Sequence, residues 1–231
     1  MSSSVIKSRN SSEAGFTLVE IAIVLVIIGL LLGGILKGQE MITQAKIKNI
    51  VNDFNGVTVA VTSYQDRYRA IPGDDRNAST RWTVQNPANG NGDGVIAGKY
   101  KATVAGASPA STEESNLFWQ HLRIAGFVAG ATTGAASGAQ PINAAGGFIG
   151  VESGLPGTRG MGFSSLILCF SNLPEKIASA VDGQMDDGVP NTGQVRAQLG
   201  GSNPDTAVDA TGAATSYVET GVNQYLMCKN Y

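Results

Sequence analysis

The segment Asn89-Gly90-Asn91-Gly92-Asp93-Gly94-Val95-Ile96 places oxygen-bearing side chains at alternate positions, a glycine sixth and an apolar residue eighth. This is the pattern of the first half of an EF-hand loop. A hard cation there would take side-chain oxygens from Asn89, Asn91 and Asp93 and the carbonyl of Val95. The twelfth place is Tyr100, where such a loop ends in Glu, and the first ligand is neutral. Calcium therefore requires carboxylates from elsewhere, from Asp74, Asp75, Glu113 or Glu114. Asn-Gly and Asp-Gly pairs also build ordinary tight turns, so both readings stand on the sequence. Asp182, Asp186 and Asp187, with Gly183 and Gly188, form a second acidic turn that fits no metal-loop spacing.

Glu20 carries a different chemistry, as the single charge in the apolar stretch 16–36. A carboxylate within an apolar span costs about 2.5 kcal/mol or more to insert, so it is normally paired or functional unless it lies near enough to the helix end to reach headgroups. Cys169 and Cys228 are the only cysteines. They suit one disulfide in an oxidising compartment, with two buried thiols as the alternative. His121, the single histidine, falls four residues after Leu117 on or beside the packed face of a predicted helix, which is a structural place. One His and two Cys exclude the usual His and Cys metal constellations, and no nucleophile, base and orienting group come together, so no enzyme is expected. Lys plus Arg is 16 against 18 for Asp plus Glu, a net charge of −2, and nothing here would neutralise a nucleic acid backbone.

These residues need elements to position them. The chain has 231 residues, 42% hydrophobic and only 15% charged, with 30 Gly, which points to a loop-rich body joined to something strongly apolar. Positions 1–15 are polar, and 16–36 meet the roughly 20 apolar residues of a membrane-spanning helix. No small-residue cleavage site follows, so a signal anchor fits better than a secretory signal peptide. Pro is absent until Pro72, and Ile47, Ile50, Phe54, Val57, Val61, Tyr64 and Tyr68 recur at spacings of three and four. One helix over 16–69 is predicted, half in lipid, its stripe packing on the downstream domain or serving as a coiled-coil seam. The region 71–231 is acidic. Ser111 and Glu114 read as a capping box for a helix over 112–125 closed by Gly126, and 174–181 as a short helix. Strands are predicted at 148–151, 166–170, 195–198 and 225–228, and the Ala- and Gly-rich stretches 129–147 and 200–214 read as loops.

The run Gly15, Phe16, Thr17, Leu18, Val19, Glu20, followed by the apolar segment and the long amphipathic helix, closely resembles the N-terminus of type IV prepilins and type II secretion pseudopilins. The resemblance covers residues 1–70. It implies a pilin-like α+β fold, the long helix packed on a C-terminal antiparallel sheet domain with long loops. The implied parts are a leader 1–15, a transmembrane and assembly half 16–36, an amphipathic half 37–70 and a periplasmic or extracellular head 71–231. A prepilin peptidase would cut between Gly15 and Phe16 at the cytoplasmic face of the inner membrane and methylate the Phe16 amine. In a staggered bundle, Glu20 of one subunit would meet the Phe16 amine of the next. Cys169 and Cys228 would match the disulfide-bounded loop of many pilins. Where many members carry Pro, this chain has Lys37, ringed by Gly29, Gly33, Gly34 and Gly38, each weakening a helix by about 0.8–1 kcal/mol relative to Ala.

The expected role is a structural subunit of a type IV pilus or pilus-like filament. It would be a homo-oligomer served by the peptidase and inner-membrane assembly machinery, spanning the inner membrane once before it enters a periplasmic or cell-surface filament. A minor pseudopilin of a type II secretion system is the nearest alternative. A non-polymerising, membrane-anchored calcium-binding adhesion module is the alternative from another class. No cofactor is required, and calcium is the one candidate.

Overall fold

The computed structural model describes residues 15, 17–101, 113–155, 157, 159–200, 208 and 212–231; the leader 1–14, Phe16, Ser111, Thr112 and most of 200–214 lie outside them. Contacts group the chain into two compact units, Met1–Thr43 and Gln44–Tyr231.

Helix α1 covers Leu18–Tyr68, 51 residues, and stays continuous through the glycines around Lys37. Lys37 pairs with Glu40 on the helix surface at 2.8 Å, an exposed ion pair of small energetic weight. From Gln44 onward the helix belongs to the second unit, and Ile47, Ile50, Phe54, Val61 and Tyr64 of the predicted stripe are buried, with Val57 and Tyr68 packed at its margin. The stripe is therefore the chain's own core, not a coiled-coil seam. Phe54 stacks on Phe170 with ring centroids 3.8 Å apart.

Among the described residues the remaining elements are α2 (Ala78–Arg81), α3 (Glu114–Ile124), a short 3-10 helix (Ala135–Gly138) within the stretch read as loop, β1 (Ile149–Ser153), β2 (Leu166–Pro174), α4 (Glu175–Met185), β3 (Val195–Leu199) and β4 (Gln224–Asn230). The four strands form one antiparallel sheet in the order β1-β2-β4-β3, so the predicted α+β layout holds. Side chains alternate across a strand. Leu168 and Phe170 of β2 accordingly join the core with α1, while Ile167 and Cys169 face a second cluster with Tyr100, Met161, Phe163, Leu226 and Cys228.

The sequence expectation for α3 needs correction at its start. Its N-cap is Glu113, which makes Glu114 the first helical residue instead of the third, and both Glu114 oxygens accept loop amides; the predicted partner Ser111 lies outside the described residues. Its end matches the prediction. Gly126, at φ +80°, donates to Arg123 O at 3.0 Å and Phe127 to Leu122 O at 2.9 Å, the paired bonds of a Schellman motif. The bland 129–147 stretch is ordered by one buried cation: Arg123 donates to the carbonyls of Ala129, Ala136 and Ser137. Arginine supplies five donors, which is why one side chain can organise a segment with little side-chain chemistry of its own.

Candidate functional site

Two regions carry functional chemistry: the start of α1 and the loops that close over its end. At the start, Thr17 immediately precedes the helix. Its backbone N–H and its hydroxyl both donate to Glu20 Oε2 at 2.8 Å, and the Glu20 N–H donates back to Thr17 Oγ1 at 3.3 Å. This is a reciprocal capping box. Thr-x-x-Glu before an apolar run is the sequence signature of this motif, which the sequence reading above did not include. The carboxylate is thus tethered at the N-terminus of α1, where the helix dipole favours negative charge. The most apolar 18-residue window of α1 has a mean hydropathy of 2.8 and none of it is buried within the chain, so the helix is long and apolar enough to cross a membrane.

In the second unit, residues 89–97 wrap around two acids from elsewhere in the chain. Asp74 accepts the N–H groups of Gly92 and Asp93 on Oδ1 and of Gly94 on Oδ2. Glu114 accepts Asn91 N–H at 2.9 Å and Ala97 N–H at 2.8 Å. The Asp74 turn lies so close that a Cβ on Gly90 would sit 2.3 Å from Gly73 O, so only glycine fits at position 90. Among the sequence-predicted ligands, Asn89 Oδ1 accepts Ser79 N–H at 2.8 Å, Asn91 Nδ2 donates to Asp93 Oδ2 at 2.9 Å while Asn91 Oδ1 accepts the Asp93 amide at 2.8 Å, and Asp93 Oδ1 accepts Val95 N–H at 2.8 Å. Of the distant acids, Asp74 and Glu114 do converge with Asp93, one carboxylate oxygen of each lying within 4.8 Å of the others. Asp75 points away to Tyr64, and Glu113 stands at the N-cap position of α3 without a side-chain capping bond.

Charge-assisted bonds to amides contribute about 1.5–3 kcal/mol each. Asp74→Asn, which keeps the shape and loses the charge, is therefore expected to lower stability by about 2–3 kcal/mol in thermal melts. An unchanged melting temperature would mean that Asp74 does not hold the loop.

Behind the loop, buried Asp75 accepts the Tyr64 hydroxyl at 2.7 Å, Arg81 Nη1 at 2.5 Å and the Asn77 amide at 2.9 Å. Burial alone would raise the Asp75 carboxyl, but Arg81, Asn77 and Tyr64 outweigh it and hold the carboxyl below its ordinary range. His121 bridges the same two loops. Gly73 N–H donates to Nδ1 at 3.0 Å, so the ring proton sits on Nε2, which donates to Ala88 O at 3.0 Å. Its role is structural, and burial holds it below the ordinary histidine range despite the Ala88 bond.

A depressed histidine pKa means that the unfolded chain takes up the proton first, so stability falls as pH drops below about 6.5. Glu152 and Asp182, whose carboxyls burial raises, contribute with the opposite sign. The His121 contribution is therefore read as a difference. Between pH 7.5 and 5.5 the wild type should lose more melting temperature than His121→Asn, whose amide oxygen can still accept from Gly73; parallel pH curves would refute this.

Cys169 and Cys228 face each other across β2 and β4 as a buried disulfide with Cα atoms 4.0 Å apart. The segment read as a second acidic turn is not wholly a turn: Asp182 lies in the last turn of α4, because that helix runs four residues beyond the predicted end.

Residues 10–36 match the family model described as the prokaryotic N-terminal methylation motif. No curated protein matches the chain. That motif family is structural, not enzymatic, and the motif implies processing by prepilin peptidase, membrane anchoring through α1 and later filament assembly. With that match at the start of α1 and an antiparallel sheet following the helix, the chain carries the N-terminal signature of type IV pilins and pseudopilins, which supports a pilin-like or pseudopilin protein.

Proposed function

We propose that this chain is a structural subunit of a type IV pilus or pilus-like filament, cut between Gly15 and Phe16, methylated on Phe16 and polymerised through the apolar half of α1. The observation that carries this reading is the exposed face of 18–36. Leu18, Leu25, Leu30, Leu31 and Leu36 are all exposed in the single chain, and such a face needs lipid first and copies of itself afterwards. Its polymerisation is driven by burial of that face among neighbouring subunits. Glu20 supplies register. Leader removal creates a cationic amine at Phe16, one turn before Glu20, and a carboxylate already tethered at the helix start is oriented to meet the amine of the next subunit.

The 89–97 loop belongs to the head's architecture in this proposal. The carboxylates of Asp74 and Glu114 already satisfy five of its amides, so it needs no calcium to close.

The test separates the charge of Glu20 from its cap. Gln at the third helical position still completes a capping box but carries no charge. Breaking a buried ion pair by removing one partner costs about 3–5 kcal/mol, more than a hundredfold in an association equilibrium. Glu20→Gln and Glu20→Ala should therefore both remain in the membrane, folded, and both drop out of sheared filaments. Normal incorporation of Glu20→Gln would reduce Glu20 to a capping residue and remove the pairing.

A further inference from the structure

We propose that Asn91 modifies itself: the Gly92 nitrogen attacks the Asn91 side-chain amide while Asp74 takes its proton, and Asn91 becomes aspartate or isoaspartate. The proposal stands independently of the filament reading. The chain has three Asn-Gly pairs, at 55–56, 89–90 and 91–92. Glycine after asparagine leaves the attacking nitrogen unhindered, but that nitrogen must first give up its proton, and the fold treats the three pairs differently. Gly56 N–H is tied within α1, and Gly90 N–H donates to a neutral carbonyl, Asp75 O, at 3.0 Å. Gly92 N–H alone of the three donates to a carboxylate, Asp74 Oδ1. A base must lie within hydrogen-bond reach of the proton it takes, and Asp74 does.

The groups around this peptide serve the same step. Arg76 Nε donates to Asn91 O at 2.5 Å, so a cation sits on the oxygen of the peptide whose nitrogen must become anionic. A Cβ on Gly92, at φ +70°, would lie 2.0 Å from Arg76 Nε, so only glycine admits that cation. Asn91 Oδ1 accepts Asp93 N–H at 2.8 Å, an Asx turn that folds the side-chain amide back over the peptide that follows. The same N–H receives the charge that develops on Oδ1 during attack. As the proton passes to Asp74, the bond from Gly92 N to Asn91 Cγ forms and the carbonyl electron pair moves to Oδ1. The carbonyl then re-forms, the Cγ–Nδ2 bond breaks, and the nitrogen leaves as ammonia with the proton that Asp74 returns through solvent. Water, which reaches exposed Asn91, opens the succinimide at either carbonyl. One water is consumed, one ammonia is released, and nothing is oxidised or reduced. Either product adds a negative charge beside Asp74, Asp93 and Glu114 and removes the Nδ2 donor that met Asp93, so the loop is held less firmly.

The experiment follows the full chain, extracted into detergent micelles from freshly induced cells, by peptide mass spectrometry over time at neutral pH, folded and in parallel unfolded in urea. A positioned base contributes about 10²–10⁴-fold, so folded wild type should convert Asn91 at least about 100-fold faster than Asn89 or Asn55. It should also convert Asn91 faster than the urea-unfolded chain does, whereas folding should slow the other two. Asp74→Asn should bring Asn91 down to its rate in urea or below. If Asp74→Asn does not fold, the exposed Arg76→Gln carries the comparison: losing a charge-assisted bond of about 1.5–3 kcal/mol should slow Asn91 by about tenfold or more. The converted form, separated by its added charge, should melt below the amide form. An Asn91 that stays an amide in the fold while converting in urea would overturn the proposal. So would conversion of Asn89 as fast as Asn91, faster conversion in folded Asp74→Asn than in wild type, which would make Asp74 a restraint, an unchanged rate in Arg76→Gln, or a converted form that melts no lower.

Discussion

Replacing Gly15 by Phe or Leu is expected to leave the protein entirely as the leader-bearing form in the membrane, with no detectable filament. The family signature spans this position, and the leader's polar residues abut the apolar run there. The substitution is clean, because a Cβ at Gly15 meets nothing within 4 Å, so the fold itself has no objection to a larger residue. The effect therefore reports on the peptidase. Without cleavage the Phe16 amine does not exist, Glu20 has no cationic partner, and polar residues stay attached where neighbouring helices must pack. Mass spectrometry of membrane and sheared fractions gives the answer. A mature wild-type protein that still begins at Met1, or a Gly15→Phe protein that is trimmed normally, would end the processed-filament reading.

Phe54→Ala should be the most damaging single change in the second unit. Phe54 is fully buried in α1, stacked on Phe170 of β2, and thus joins the helix to the sheet. Truncating a buried Phe costs about 3–5 kcal/mol, from lost transfer energy and the cavity left behind. Domains are stable by only about 5–15 kcal/mol, so about a fifth or more of the total is at stake. For a unit of this size that lowers the melting temperature by about 6–20 °C. Val59, on the exposed side of the same helix, provides the control, where Ala should change stability by no more than about 0.5 kcal/mol. If both variants melt alike, α1 does not supply the core described above.

Features governed by near neighbours in the chain were legible in the sequence. The apolar run, the stripe from Ile47 to Tyr68, the glycine that ends α3 and the four strands all follow from local periodicity and cap chemistry, which act within a few residues. Thr17 and Glu20 were equally legible as a cap, for the same reason. Tertiary structure decided the rest, because each remaining feature joins residues far apart in sequence. The 89–97 pattern names its own side chains and calls for distant acids without saying which; the fold brings in Asp74 and Glu114, which accept the loop's amides, and sets Asn89 against Ser79 and Asn91 against Asp93. Glu114 could not serve both a cap and that loop, and its two oxygens accept the Asn91 and Ala97 amides. Asp182 lies buried where α4 runs one turn further than predicted and Tyr217 arrives from the C-terminal segment to donate to it. Local rules set which helices and strands form; burial, which only the packed chain creates, set which polar groups must find partners and where those partners come from.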